Sequence, residues 1–489
     1  MIYSFHHFYN WVKGGVESGQ AYRARIFREL GIEAKFVFAT TFPEGNMLQE
    51  MRSLGFLDEE VMWMYGFFTN CRNSMSVYTL KQLEQTFSSQ TFECFRKNSI
   101  IKYVFRDTNT YYNVYMANDS EEYIRMVEIV TNEHMIRKDY YTYCRIYSEY
   151  YTPINNQAHL YLRRFYNEDG TVAYEEILDD DFVMYRFPDR IFYSREELVG
   201  YMMSLLNLTE EDTVLIDGEP GMIDRAAFIQ NAFPAKVGFI IHADHFLESD
   251  ENHILWYSIY EYAFAHPDKI KFFITNTDVQ TELLKKQLLK YQNINATVLT
   301  IPAVGIDVVK RTEKVRKKHS LISVGRLNIE KNMNWVIEAV ALAKKNVPDL
   351  TLDIYGEGSE KEKLEHQIRQ LQMENCIHLC GYQKLSEVYQ KYEAYVSASY
   401  IETLGVTLLE SVASGLPIVS FDIRYGAQIF VDEGKNGYKV PYGNVEELAA
   451  RIVRLFTEAD WKSFSEHSYI KAKSYLTEEM KEKWREALR

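Results

Sequence analysis

Two glutamates, Glu402 and Glu410, lie eight residues apart in "YIETLGVTLLESVASGLPIVSFD", a stretch that otherwise has the composition of a protein core. Leucine, valine and alanine recur there at helical spacing, and Gly415 and Pro417 predict the end of a helix before a buried strand. A half-buried carboxylate needs hydrogen-bond partners or a shifted pKa. Each glutamate is therefore expected to contact either another protein group or a bound ligand.

Two basic residues and a glycine turn follow predicted strands upstream of the glutamates. Arg326 comes directly after the run "SLISVG", and Lys331 lies five residues further on, where a helix is predicted to begin. These groups could bind a diphosphate, although a solvated surface pair is the alternative. Gly356, in the turn "YGEGS", leaves room for a base or ribose to touch the backbone. Because carboxylates accept two hydrogen bonds from a vicinal diol, the combined set indicates a site for a nucleotide diphosphate attached to a sugar.

Further candidates follow two other predicted strands. The first strand, "MIYSF", leads through a loop to Gly14, Gly15 and Val16 at the start of a helix, whose N–H groups could bind a phosphate. A plain tight turn is the alternative for the two glycines. His242 ends the apolar run "VGFII" and is expected in a crevice, because ligands of open parallel sheets bind at the carboxyl ends of strands. A structural histidine is the alternative there.

The sequence predicts no metal site and no resident cofactor. Asp179 and Asp181 form a D-x-D pair, but they lie in a hydrophilic turn of a β-rich region and are interpreted as a charged loop. Cys376 and Cys380 lie four residues apart without a second pair nearby, and we interpret them as packed apolar side chains. The chain contains no G-x-x-x-x-G-K-[ST] motif, and no G-x-G-x-x-G follows the first strand. ATP hydrolysis and dinucleotide redox chemistry are therefore disfavoured.

Alternating strand and helix patterns predict the elements that position these residues. Strand–loop–helix–strand units are predicted at the N-terminus and again from about residue 212, as in a parallel sheet. A second regular alternation begins at "SLISVGRL" and includes a helix predicted over residues 384–392. Between them, residues 101–200 hold 16 of the 37 tyrosines, in alternating runs separated by turn residues. This region is predicted to be an antiparallel insertion, whose aromatic residues serve either its own core or a protein interface.

The predicted fold class is α/β, with two Rossmann-like domains facing a cleft and an antiparallel β-sheet insertion in the N-terminal domain. The predicted boundaries place the N-terminal, acceptor-side domain at residues 1–87 and 196–305, and the insertion at 88–195. The nucleotide-sugar domain is predicted at residues 306–468, and a C-terminal helix at 469–489 is expected to return to the N-terminal domain.

Composition excludes some classes of partner. With 489 residues, 55 basic and 69 acidic side chains and a net charge of −14, the chain lacks the basic balance of a non-specific nucleic-acid binder. Five cysteines in so long a chain indicate free thiols in a reducing compartment. The N-terminus does not resemble a signal peptide, and no run of about 18 apolar residues predicts a membrane-spanning helix. A soluble, cytoplasmic protein is expected.

The second half of the chain resembles a large family of retaining GT-B glycosyltransferases. Glu402 and Glu410 match that family's E-x7-E signature, and Arg326 with Lys331 matches its R-x4-K. The resemblance implies that the basic pair neutralises the donor diphosphate and that Glu410 holds the ribose. It also implies that His242 lies beside the donor sugar. The same resemblance places Gly14 and Gly15 in the glycine loop opposite the donor phosphates, and it assigns the donor sugar to Glu402 and the amides after it, at Thr403, Leu404 and Gly405. Val16 and Gly356 are counted as donor-binding candidates from their positions in the two glycine turns.

The first half resembles, more narrowly, the catalytic glycosyltransferases of accessory Sec loci in Gram-positive bacteria, the GtfA family. The segments that carry this resemblance include "SGQAYRARIFREL", "IRKDYYTYCRIYSEYYTP", "RFYNEDGTVAYEEIL" and "HADHFLE". The resemblance implies transfer of N-acetylglucosamine from UDP-GlcNAc to serine and threonine of serine-rich repeat adhesins. It further implies a GtfB-like, non-catalytic partner subunit, pairing through the insertion, and a cytoplasmic location, with peripheral association at the inner face of the cell membrane left open.

The resemblance also implies front-face retaining transfer without a bound metal, with a phosphate oxygen of the donor taking the acceptor's proton. One departure concerns the donor: the family's usual Glu-Gly-Phe-Gly is replaced here by Glu402, Thr403, Leu404 and Gly405. Transfer of glucose from UDP-glucose therefore stays open. Glycosylation of wall teichoic acid stays open as well, as do a non-catalytic substrate-binding subunit and a structural scaffold.

Overall fold

The computed structural model describes residues 1–489 except 8–14, 42–45, 88–89, 118–119, 180–181, 219–223, 313–314 and 386. The chain divides into two compact units. The first contains residues 1–240 and 258–271, and the second contains residues 241–257 and 272–489. Among the helices of the described residues, none is both long and apolar enough to cross a membrane.

The N-terminal part of the first unit has the predicted alternation of strand and helix. Its elements are β1 Ile2–His6, α1 Gly15–Glu29, β2 Ala34–Phe38, α2 Met47–Leu54, β3 Val61–Trp63 and α3 Leu80–Gln85. Helix α2 begins where the Asn46 side chain accepts a hydrogen bond from the Gln49 N–H, and it ends at Gly55 in a left-handed conformation. Strands β1, β2 and β3 pair in parallel, as expected for βα units.

Ten antiparallel strands follow in one sheet, in which the strands lie side by side in chain order from β4 to β13. They are β4 Glu93–Lys97, β5 Ile100–Phe105, β6 Thr110–Met116, β7 Ile124–Thr131, β8 His134–Tyr141, β9 Arg145–Ile154, β10 Gln157–Tyr166, β11 Val172–Asp179, β12 Phe182–Arg186 and β13 Ile191–Phe192. Each strand pairs with the strand that follows it in the chain, which is a meander. The strands lie inside the predicted insertion at residues 88–195, whose exact ends stay a prediction.

Many aromatic residues of this sheet pack against one another. The rings of Tyr140 and Tyr147 stack with centroids 4.2 Å apart, and those of Phe165 and Tyr174 stack at 4.4 Å. These four side chains are buried. The structure thus accounts for part of the tyrosine surplus by packing within the sheet.

The chain then returns to alternating strands and helices. The next elements are α4 Arg195–Leu205, β14 Thr213–Gly218, α5 Arg225–Asn231, β15 Lys236–Ile241, β16 Phe246–Ser249, β17 Ile254–Trp256, α6 Ser258–Ala265, β18 Phe272–Thr275, α7 Asp278–Gln292 and β19 Val298–Thr300. In the first unit the strand order is β15-β14-β1-β2-β3, with β14 parallel to β1. In the second unit, β18 pairs in parallel with β19.

The rest of the second unit is a doubly wound domain. Its elements are β20 Ser320–Val324, α8 Met333–Ala343, β21 Thr351–Tyr355, α9 Lys361–Gln370, β22 Ile377–Leu379, β23 Ala394–Ser397, α10 Val406–Ala413, β24 Ile418–Phe421, α11 Gly426–Phe430, β25 Gly437–Val440, α12 Val445–Thr457, α13 Trp461–Lys473 and α14 Thr477–Ala487. The sheet is parallel, with the order β22-β21-β20-β23-β24-β25. The order reverses direction between β20 and β23, which is a topological switch point where ligands of such sheets bind.

The predicted α/β class with an antiparallel insertion is confirmed. The helix predicted over residues 384–392 is wrong, because the described residues there form turns and a single 3₁₀ turn at Tyr389–Lys391. The backbone carbonyl groups of this segment accept hydrogen bonds from residues 316 and 317 instead. The Arg316 guanidinium donates to the carbonyls of Tyr389 and Tyr392, and the Lys317 N–H donates to the carbonyl of Lys391. Those bonds replace the intrahelical bonds that the pattern predicted.

Candidate functional site

A lysine–glutamate pair lies at the switch point of the second unit. Lys331 ends a 3₁₀ turn between β20 and α8, and Glu402 lies between β23 and α10. The Lys331 ammonium donates to Glu402 Oε1 at 2.5 Å, and the Ser399 hydroxyl donates to the same oxygen at 2.9 Å. Both charged side chains are 16% exposed. The fold therefore joins one residue from each of the two sequence motifs in a partly desolvated ion pair.

Arg326 follows the same strand, β20, but is held more loosely. Its guanidinium lies 3.4 Å from Glu330 Oε1, and its side chain is 57% exposed. An exposed ion pair of this length stabilises a protein by only about 0–1 kcal/mol. The guanidinium can therefore leave Glu330 for an anionic ligand at small energetic cost.

Gly356 has a packing role that the sequence did not indicate. It follows β21 with a φ of 148°, and a Cβ atom there would lie 1.9 Å from the carbonyl oxygen of Gly325. The Gly325 N–H in turn donates to the carbonyl of Tyr355. The ends of β20 and β21 thus approach so closely that only glycine fits at position 356. A ligand contact at Gly356 stays a prediction.

The residues after Glu402 lead into helix α10. Gly405 precedes the helix with a φ of 75°, a conformation that L side chains rarely adopt. Leu404 is 4% exposed, whereas Thr403 is half-buried. The N–H groups of the first turn of α10 are the donors that a helix offers to an anion. Of the two residues that depart from the family pattern, Thr403 is thus the more accessible.

Glu410 lies on α10 and has a protein partner. The Tyr389 hydroxyl donates to Glu410 Oε2 at 2.8 Å. Burial raises the pKa of the Glu410 carboxyl above its ordinary value, although the Tyr389 hydrogen bond and the charge of Lys310 act in the opposite direction. Tyr389 was not predicted from the sequence, because its segment was interpreted as an ordinary helix.

His242 comes directly after β15 and is half-buried, as expected for a residue at a strand end. Two residues on, the Asp244 carboxylate accepts a hydrogen bond from the Tyr425 hydroxyl at 2.5 Å. His245 is fully buried and hydrogen-bonded to Gln287 at 2.6 Å, and burial lowers its pKa to about 4. The contact between Asp244 and Tyr425 was not predicted from the sequence.

The glycine-turn residues belong to the first unit. Gly14 lies outside the described residues. Gly15 is the first residue of α1 and is exposed, and Val16 follows it half-buried. Their predicted contact with a phosphate is consistent with a helix N-terminus and stays a prediction.

Comparison with known proteins assigns the chain to a family. A family model described as the GtfA extended beta-sheet domain matches residues 93–189, and one described as glycosyl transferases group 1 matches residues 307–473. The UDP-N-acetylglucosamine–peptide N-acetylglucosaminyltransferase GtfA subunit of Streptococcus parasanguinis is 40% identical over 99% of this chain and 98% of its own length. The chain belongs to the GtfA family of glycosyltransferases.

Solved structures of GtfA proteins match the whole chain. The pneumococcal O-GlcNAc transferase GtfA, solved in complex with UDP and GlcNAc, is 35% identical and matches with a TM-score of 0.92. A GtfA/B complex contains a chain that is 37% identical and matches with a TM-score of 0.93. Both alignments cover 100% of this chain and 98% of the other. The GT-B fold and the resemblance inferred from the sequence are therefore confirmed.

The GtfA assignment makes the chain an enzyme, while the roles of its individual residues stay predictions. In the second unit the fold brings Lys331 together with Glu402, and it places Arg326 after the strand that precedes Lys331. Among the described residues, no group of three or more histidine, cysteine, aspartate or glutamate side chains could hold a metal ion. Asp179 ends β11 and is exposed, and its predicted companion Asp181 lies outside the described residues.

Proposed function

We propose that this glycosyltransferase moves N-acetylglucosamine from UDP-GlcNAc to serine and threonine hydroxyls of a serine-rich repeat adhesin, with retention of configuration. It acts with a GtfB-like, non-catalytic partner subunit. Support comes from the S. parasanguinis relative, which is named for transfer of N-acetylglucosamine from its UDP donor to peptide, and from the GtfA/B complex. The observation in this structure that carries the proposal is the Lys331–Glu402 pair at the switch point.

The pair provides both kinds of group that a sugar nucleotide needs. Lys331 and Arg326 stabilise the negative charge that develops on the leaving diphosphate, and the N-terminus of α10 adds its positive dipole end. Glu402 accepts hydrogen bonds from hydroxyls of the donor sugar. Glu410 accepts them from the ribose, in place of the hydrogen bond that Tyr389 donates to it in this structure.

The reaction balances without a protein base. The bond between the anomeric carbon and the diphosphate oxygen breaks, and the acceptor oxygen bonds to the same face of the sugar. A β-phosphate oxygen of the departing UDP takes the proton of the acceptor hydroxyl. The protein's contribution is orientation and electrostatic stabilisation, and His242 lies beside the sugar in this proposal.

The test is a transfer assay with the purified chain. UDP-GlcNAc or UDP-glucose is incubated with a serine- and threonine-rich polypeptide, with and without the partner subunit, and intact mass records each added sugar. We expect N-acetylhexosamine on the polypeptide and dependence on the partner. Absence of any sugar transfer with the partner present would contradict the proposal.

Different donors, acceptors and roles are separate outcomes of the same assay. Hexose in place of N-acetylhexosamine would indicate a UDP-glucose donor, which Thr403 and Leu404 leave open. Transfer to poly-ribitol phosphate instead of polypeptide would indicate teichoic acid as the acceptor. Binding of the polypeptide without binding of a UDP-sugar would contradict the proposed transfer.

The proposal places the enzyme in the cytoplasm, in an accessory Sec system. Five cysteines, an odd number with no disulfide among them in the structure, support a reducing compartment. Peripheral association at the inner face of the membrane is the alternative. Fractionation of cells into cytosol and membranes, before and after a high-salt wash, separates the two locations.

A further inference from the structure

The backbone of Glu402 is fixed by the segment that follows β24. The N–H groups of Tyr425 and Gly426 both donate to the Glu402 carbonyl, at 2.7 and 2.8 Å. In the other direction, the Glu402 N–H donates to the Arg424 carbonyl at 3.3 Å. The position of Glu402 therefore depends on where residues 424–426 lie.

Asp244 in turn holds that segment through two side chains. Its Oδ1 accepts the hydrogen bond of 2.5 Å from the Tyr425 hydroxyl, and its Oδ2 lies 3.2 Å from the Arg424 guanidinium. Asp244 is 7% exposed and Tyr425 is fully buried. A buried, charge-assisted hydrogen bond of this kind is stronger and more directional than one between neutral groups.

We propose that Asp244 is a positioning residue for Glu402, acting through Tyr425 and Arg424, so that the donor sugar meets a correctly placed carboxylate. The inference rests on the proposed function, because it takes Glu402 as the sugar-binding residue. Asp244 also lies two residues after His242. The same short segment therefore contains a residue that is predicted to contact the donor sugar and the residue that positions Glu402. Neither Asp244 nor Tyr425 needs to touch the donor for this role.

The test compares Tyr425→Phe with Tyr438→Phe, a buried tyrosine of the same unit that packs on Phe464 instead. Binding of UDP-GlcNAc and of UDP is measured by calorimetry, and transfer is measured with the polypeptide acceptor. We expect Tyr425→Phe to lower kcat and the affinity for UDP-GlcNAc about tenfold or more, by the scale for hydrogen bonds to charged groups. Affinity for UDP should change less than twofold, and the control should match the wild type.

Asp244→Asn is the second variant, since an amide can still accept from Tyr425 but loses the charge that faces Arg424. We expect an intermediate loss, with UDP binding retained as proof of folding. Equal losses for UDP and UDP-GlcNAc, or wild-type values in both variants, would overturn the positioning role. The positioning role would also be overturned if the wild-type enzyme bound UDP-GlcNAc no more tightly than UDP. The transfer assay would still test the proposed function separately in that case.

A second inference rests on an independent observation, a pair of thiols in the first unit. Cys71 follows β3, and Cys144 lies in the turn between β8 and β9, yet their sulfur atoms are only 3.8 Å apart. The Arg72 N–H donates to the Tyr143 hydroxyl at 3.2 Å, which keeps the two segments together. Both cysteines are half-buried.

Cys71 has the features of a reactive thiol. It lines a cavity of about 60 Å³ and keeps part of its surface exposed to solvent. Hydrogen bonds with Cys144, Thr69 and Tyr143 lower the pKa of Cys71 to about 7, although burial opposes the shift. A thiol of this kind is partly deprotonated at neutral pH, and the thiolate is the nucleophile in disulfide exchange.

We infer that Cys71 and Cys144 form a modification site that takes a low-molecular-weight disulfide as its oxidant. The Cys71 thiolate attacks one sulfur of the reagent, forms a mixed disulfide and releases one thiolate. The hydrogen bond with Cys71 and burial raise the pKa of Cys144, so Cys144 first gives its proton to the thiolate that was released. The Cys144 thiolate then attacks the Cys71 sulfur and releases the second small thiolate, which takes a proton from solvent. Two protein thiols are oxidised to one disulfide, and the reagent is reduced to two thiols.

The test treats the full chain with glutathione disulfide and maps linked peptides by mass spectrometry. We expect a Cys71–Cys144 peptide that disappears on reduction, and we expect Cys94→Ser, which removes an exposed cysteine, to leave it unchanged. Cys144→Ser should instead accumulate a glutathione adduct at Cys71. A glutathione adduct that persists at Cys71 in the wild-type chain, or no reaction at Cys71, would overturn the inference.

Discussion

Replacing Lys331 with methionine tests the proposed charge stabilisation most directly. Methionine keeps much of the length of the side chain but removes the ammonium that lies 2.5 Å from Glu402. A unit charge about 4 Å from a phosphate oxygen is worth about 4 kcal/mol at an effective dielectric of 20. The 16% exposure of Lys331 makes that dielectric more appropriate than the value for water. A loss of about 2.7–4 kcal/mol, or 10²–10³ in kcat, is therefore expected.

The assay is transfer of N-acetylglucosamine at saturating UDP-GlcNAc, with single turnovers measured to isolate the chemical step. Lys361→Met is the matched control, because Lys361 also pairs with a glutamate, Glu357 at 3.1 Å, but lies on α9. The control should retain wild-type kcat. Arg326→Ala should cost less than Lys331→Met, since Arg326 is the more exposed residue. A kcat of Lys331→Met within threefold of the wild type would refute the reasoning.

Three further predictions concern pH and backbone geometry. UDP affinity should fall as the pH is lowered through the raised pKa of Glu410, because the protonated carboxyl accepts fewer hydrogen bonds; calorimetry with Glu410→Gln should show a weaker pH dependence. His245 should lower the free energy of unfolding of the wild type by about 3 kcal/mol as the pH drops from 6.5 to 4, because it binds a proton more readily in the unfolded chain; denaturant titrations of His245→Gln should lack this contribution. Gly356→Ala should lower the free energy of unfolding by about 2–4 kcal/mol, since the new methyl group meets a carbonyl oxygen; Gly443→Ala, which adds a methyl group in open space at a φ of 83°, should cost about 1–2 kcal/mol in the same titration.

Local patterns predicted the parts of the fold that depend on local sequence. The apolar spacing around Glu410 predicted α10, and alternating tyrosines separated by turn residues predicted the antiparallel insertion. The spacing within each motif also identified Lys331 and Glu402 as candidate site residues, and each of them follows a strand of the same sheet. Their direct contact depends on β20 lying beside β23, which the strand order determines.

Contacts between distant segments could not be read from local patterns. Tyr389 donates a hydrogen bond to Glu410 from a 3₁₀ turn, and the carbonyl groups of that turn accept hydrogen bonds from Arg316 and Lys317. Asp244 and Tyr425 lie 181 residues apart and carry no shared motif. A partner of this kind becomes visible only when the fold brings the two side chains together.

The departure at Thr403 and Leu404 leads to a last prediction, about the choice of donor sugar. Leu404 is 4% exposed, so a change there acts mainly on packing, whereas Thr403 is half-buried and follows the proposed sugar-binding Glu402. Thr403→Gly should therefore change the ratio of kcat/KM for UDP-GlcNAc to that for UDP-glucose by about 10–200-fold at most, the scale for small groups in a pocket. Leu404→Phe should lower the melting temperature and leave that ratio within twofold. If Leu404→Phe alone changed the ratio, the side chain at position 404 rather than 403 would determine the donor, and the burial argument would be wrong.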